Sequence, residues 1–189
     1  EIADSKNVNA TGNVTLDNIF TSDYIMYKIF GVFVPATNGD SLLMTLRSSA
    51  PADLTGNNYR YVVNAVRNPS NNSVETGYNS NDGTSSFNLH YGGNNSGVDY
   101  PMNFEINMFD PRSSFVAGKN INYRCSFYGN DSKMYISVGA GTYKASGDAY
   151  GFKLAFSSGD IKRHKVTVFG IKGTDIAWLI KLYQIQQKK

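Results

Sequence analysis

The sequence predicts an all-β domain, an antiparallel β-sandwich, on three observations. Apolar and polar residues alternate with period two in segment after segment. Gly, Asn, Ser and Asp crowd the stretches between those segments. The apolar content is rich in rings, with 13 Tyr and 11 Phe against a single Trp. Alternation marks strands that bury one face, and the residues between them are those that accept turn geometry. At 189 residues and 41% hydrophobic content the chain is long enough to fill one such core. No apolar run approaches the roughly 20 residues of a membrane-spanning helix, so membrane insertion is not expected.

Residues 1–22 are polar and read as an N-terminal arm. "YIMYKIFGVFV" (Tyr24 to Val34) is nearly continuous apolar and stops at Pro35, as a strand buried on both faces does. "ATNGD" (Ala36 to Asp40) contains the Asn-Gly pair of tight hairpins and leads into "SLLMTLRS" (Ser41 to Ser48), so these two strands are expected to pair. "NYRYVVNAVR" (Asn58 to Arg67) alternates but is partly apolar on both faces. Asn68 to Ser86 has no usable periodicity and reads as a long exposed loop. "FNLHY" (Phe87 to Tyr91) is a short strand. "MNFEINMF" (Met102 to Phe109) gives the clearest pattern, with Met102, Phe104, Ile106 and Met108 inward. "NINYRCSFY" (Asn120 to Tyr128) places the only cysteine, Cys125, on an inward face with Ile121, Tyr123 and Phe127. "MYISVGAGTYKA" (Met134 to Ala145), whose glycines read as a bulge or bend, "GFKLAF" (Gly151 to Phe156) and "HKVTVFGI" (His164 to Ile171) complete the series. About nine closely spaced strands with long loops favour a jelly-roll-like sandwich over residues 23–172, with a short C-terminal helix or extension over residues 173–189.

The chemistry is sparse. His90 and His164 each sit within a strand pattern, with no second His, Cys or carboxylate at metal-ligand spacing. Glu105 and Asp110 fall on opposite faces of one strand, which argues against a glycosidase pair there. "NSNDGTSS" (Asn79 to Ser86) lacks the order of acids in a calcium loop. The expectation is a protein with no enzymatic activity, no cofactor and no metal. Tyr59, Tyr61 and Tyr91 are either core and cross-strand residues or ring faces for a sugar. The net charge of +3 is uneven, since residues 161–189 hold seven Lys/Arg against one Asp. That concentrates basic character at the C-terminal end, which is either a solvated face or a docking surface for an acidic partner.

Two stretches carry a resemblance. "IFTSDYIMYKIFGVFVPATNGDSLLMTLRSS" (Ile19 to Ser49) resembles the opening of a domain found in bacteriophage virion structural proteins, and "FKLAFSSGDIKRHKVTVFGIK" (Phe152 to Lys172) resembles that domain's closing hairpin. The resemblance implies a virion protein of phages of aquatic bacteria, in a tail fibre, receptor-binding tip or capsid-associated role. It implies a homotrimer, other virion proteins as partners, the particle surface as location, and no nucleic-acid contact. A carbohydrate-binding module recognising host surface glycans is the second reading. The basic "KRHK" (Lys162 to Lys165) and the chain beyond the last strand depart from the family pattern. In "TDIAWLIKLYQIQQKK" (Thr174 to Lys189), Trp178, Leu179, Leu182, Tyr183 and Ile185 form the apolar side of an expected attachment or oligomerisation segment.

Overall fold

The computed structural model describes residues 1–7, 11–38, 40–68, 75–93 and 100–173. The strands among them are β1 (Ala3–Asn7), β2 (Val14–Leu16), β3 (Met26–Pro35), β4 (Leu42–Arg47), β5 (Tyr59–Arg67), β6 (Glu75–Thr84), β7 (Phe87–Asn88), β8 (Met102–Phe109), β9 (Lys119–Tyr128), β10 (Met134–Tyr143), β11 (Gly151–Phe156) and β12 (Ile161–Ile171). They form two antiparallel sheets, one of eight strands in the order β1-β12-β3-β8-β9-β10-β5-β6 and one of four in the order β2-β11-β4-β7. The protein is the expected β-sandwich. The chain crosses repeatedly between the sheets, and β8, β9 and β10 run as a meander within the larger one.

The core lies between the sheets. Met102, Phe104, Ile106 and Met108 of β8 and Ile121, Tyr123, Cys125 and Phe127 of β9 are all buried, as their alternation requires. Opposite them stand Leu42, Met44 and Leu46 of β4 and Phe152, Leu154 and Phe156 of β11. Phe33 joins the layers, with its ring edge-on to Phe104 at 5.0 Å and to Phe156 at 6.2 Å.

Four expectations are corrected. First, residues 1–22 do not form a separate arm. β1 pairs with β12, β2 pairs with β11, and Val14 and Phe20 enter the core. The strands are too short and too polar to announce themselves, because backbone pairing against a completed sheet needs no pattern of its own.

Second, β3 and β4 do not pair. β3 lies between β12 and β8, while β4 lies between β11 and β7 in the other sheet. The supposed closing hairpin behaves likewise, since β11 and β12 also belong to different sheets. The two crossings lie side by side and bond to one another, with Ala36 N donating to Asp160 O and Ser157 N to Ser41 O, both at 2.8 Å. Ser158 also donates to the Asp40 carboxylate. Turn residues fix where a chain bends; they do not fix which sheet it enters next.

Third, Glu75–Thr84 is a strand rather than part of a loop. β6 forms the sheet edge on β5, where a polar strand is tolerated because it buries no full face. Arg60 pairs with Asp82 across this seam, and Arg67 Nη2 lies 2.5 Å from Glu75 Oε2.

Fourth, Gly139 and Gly141 mark no bulge, because β10 stays in register with both β9 and β5. A Cβ at Gly139 would overlap the Tyr123 ring, and one at Gly141 would press on Phe87 and the Arg60 carbonyl. These glycines make room for inward rings. Gly139→Val is therefore expected to displace Tyr123, break the bond from its hydroxyl to Asn88 O (2.8 Å) and cost about 1–3 kcal/mol. An unchanged midpoint in chemical denaturation would show that the ring has somewhere else to go.

Candidate functional site on the outer face of the large sheet

Eight adjacent strands present a broad surface away from the core, and their register sets its composition row by row. One row runs Lys165, Val32, Asn103, Ser126, Ile136, Val66 and Thr76 from β12 to β6; the next runs Thr167, Phe30, Glu105, Arg124, Val138, Asn64 and Tyr78. Two apolar islands result, separated by a polar stripe on β8 and β9. On β5 and β10, Val62, Val66, Ile136 and Val138 are 47–49% exposed. On β3 and β12, Phe30, Val32 and Phe169 are comparably open. The stripe carries Asn107 bonded to Asn122 at 2.7 Å, and Glu105 between Lys28 (3.6 Å) and Arg124 (3.9 Å). Three grooves, of about 450, 500 and 340 Å³, indent this same face.

Sequence reasoning missed these residues for an identifiable reason. The segments at Tyr24 to Val34 and Asn58 to Arg67 are apolar on both faces, and a two-faced apolar strand reads as one covered on both sides. Among the described residues nothing covers their second face, so the signal was present and pointed to a surface.

The residues named from the sequence fare differently. Tyr59 is fully buried, so as a glycan contact it is corrected: its ring packs between Phe87 and Tyr143, and its hydroxyl accepts from Leu46 N and donates to Leu54 O. Tyr61 and Tyr91 are half-buried and pack against the core, and Tyr91 fills the space left by Gly77. The three rings form no common platform. Trp178, Leu179, Leu182, Tyr183 and Ile185 lie outside the described residues.

Several titratable groups away from this face hold the fold together. His90 is buried and its Nε2 accepts from Leu42 N at 2.9 Å. His164 lies edge-on to Phe33, and its Nε2 is 3.0 Å from Ser5 Oγ. Lys119 is buried and donates to Ser113 O at 2.8 Å; burial pulls its ammonium below the usual lysine range, against the charges of Asp148 and Asp110. Arg47 sits between Asp17 and Asp53, each at 2.5 Å, and Lys153 also reaches Asp53. Burial alone would raise the Asp53 carboxyl, yet Lys153 and Arg47 together hold it below the ordinary aspartate value. This network fastens β2, β4, β11 and the Ser48 to Leu54 turn. Among the described residues no three His, Cys, Asp or Glu side chains are placed to share a metal ion.

No protein family matches the chain, and no curated protein matches it. Solved structures with some likeness include the infectious bursal disease virus Gx strain, at 14% identity over 93% of this chain and 39% of that one, TM-score 0.15. The VP2 subviral particle of the same virus matches at 11% identity over 94% and 41% of the two chains, TM-score 0.14. The aerolysin-like protein of Bombina maxima matches at 9% identity over 89% and 93%, TM-score 0.12. The chain thus spans about two fifths of the length of the virus chains. Likeness at these scores carries no functional argument, and the fold rests on the sheet order itself.

Proposed function

We propose that this protein is a non-enzymatic structural component of a phage particle, a fibre, spike or capsid decoration that works as a homotrimer through assembly and adhesion. The observation that carries the reading is the apolar island on β5 and β10. Ile136 and Val66 stand directly opposite one another, Val138 follows on the same face, Val62 stands opposite Ala140, and Tyr78 flanks them at 75% exposure. Contiguous apolar surface on an internal part of a sheet is a mark of protein–protein contact. Completing the burial of these half-exposed side chains contributes roughly 1 kcal/mol apiece, enough in number to hold subunits once association entropy is offset. The stretches resembling phage virion proteins supply the particle context.

The test is mass in solution by light scattering, with location in a particle by immuno-electron microscopy. The wild-type chain is expected at three times its monomer mass. Val138→Asp, at an exposed position that leaves the core untouched, is expected to shift it to monomer while its circular dichroism stays unchanged. A wild-type monomer, or a Val138→Asp protein that still assembles, would overturn the use of this face.

A further inference from the structure

The other half of the outer face has a different chemistry. A groove of about 450 Å³ runs over β12, β3, β8 and β9, inside the ~300–1,000 Å³ range of small-ligand sites. Its walls combine an aromatic face, neutral polar groups and two cations. Phe30 is 39% exposed, and its ring is held edge-on by Phe169 at 6.0 Å. Asn103 and Ser126 face one another across the β8–β9 register. The charge of Glu105 is already met by Lys28 at 3.6 Å. Arg124, with a side chain 68% exposed, touches Glu105 only at 3.9 Å, and among the described residues Lys165 has no ion-pair partner. The groove lining thus sets two cations, Arg124 and Lys165, against the single carboxylate of Glu105, which Lys28 also shares.

We infer that this groove binds an acidic oligosaccharide, one sugar ring stacking on Phe30 while its carboxylate meets Arg124 and Lys165 and its hydroxyls meet Asn103 and Ser126. Two features favour a sugar over an acidic peptide. β3, β8 and β9 are internal strands, paired on both sides, so no backbone edge is open for an added strand. Recognition must run through side chains, and amides, a hydroxyl and one apolar ring suit a hydroxylated ring whose C–H face is apolar. The positive charge then selects acidic sugars over neutral ones. This site shares no residue with the assembly island, although Ser126 and Arg124 stand beside Ile136 and Val138 at its border, and it does not involve the tyrosines discussed above.

The test is calorimetric titration of the full chain with oligogalacturonate and with a sialylated oligosaccharide, two carboxylate sugars of different source. A methyl-esterified oligogalacturonate and poly-glutamate serve as controls. Binding of at least one acidic sugar is expected, weakened by salt, and lost about tenfold or more in Arg124→Ser and in Lys165→Ser. Phe30→Ala is expected to weaken the acidic sugar too. All three positions are on the surface, so thermal melts should match the wild type. Binding of neither sugar, indifference to all three substitutions, or equally tight poly-glutamate binding through the same residues would overturn the inference. The oligomer mass measured alongside reports on assembly independently, since Val66→Asp, on the island but two strands away from Arg124, should lower that mass and leave sugar binding intact.

Discussion

Tyr59→Ala is expected to lower the free energy of unfolding by about 3–5 kcal/mol, because it removes a fully buried ring from the junction of the two sheets. The ring lies edge-on to Phe87 at 4.8 Å and to Tyr143 at 4.9 Å, and no side chain in a strand interior can move far enough to refill the space. Tyr59→Phe separates packing from bonding. It keeps the ring but orphans Leu46 N–H, which donates to the hydroxyl at 3.0 Å, and Leu54 C=O, which accepts from it at 2.6 Å. That loss is expected to be about 1–3 kcal/mol. Urea denaturation of both variants checks the pair. A neutral Tyr59→Phe would mean that water or a shifted loop replaces both bonds.

Acidification from neutral pH is expected to weaken the fold well before its carboxylates titrate, through His90. Burial depresses its pKa to about 4 from the ordinary 6.5, and the backbone at Gly92 and Tyr91 offsets this only in part. The sign follows from the direction. A group whose folded pKa lies below its unfolded one binds protons more readily when unfolded, so its contribution is complete above pH 6.5 and is lost as pH falls towards 4. A difference of this size corresponds to about 3 kcal/mol. The geometry agrees, since protonating Nε2 would set an N–H against the Leu42 N–H that it now accepts. Burial also lowers His164, which adds a contribution of the same sign. Denaturation at a series of pH values should show stability falling across this window, and His90→Gln should flatten it. A wild-type profile that is flat from pH 6.5 to 4 would refute a neutral buried His90.

Much of the fold was legible. The inward residues of β8 and β9 follow from alternation alone, and Cys125 is buried where its neighbours put it. The His residues read as structural, and each contacts the body of the sandwich. The outer face of the large sheet was less legible. Phe30 and Val138 look like core residues in a list, and only the sheet order shows that nothing lies on their side of the sheet among the described residues. Arg124 and Lys165 are 41 positions apart in the chain, and no spacing rule connects them; the pairing of β9, β8, β3 and β12 does.

By itself, then, the sequence determined the element type, the inward face of each strongly alternating strand, and the absence of any short motif with catalytic spacing. These are local matters, set by side-chain period and turn chemistry within a few residues. The tertiary structure decided the rest: that β3 and β4 join different sheets, that the polar Glu75–Thr84 segment becomes an edge strand, that Tyr59 is sealed inside, and that an apolar island and a cationic groove share one outer face. The physical reason is that a backbone hydrogen bond carries no residue identity. Any extended segment can satisfy any free edge, so the partner each strand takes is fixed by how the whole set of inward side chains fills one core.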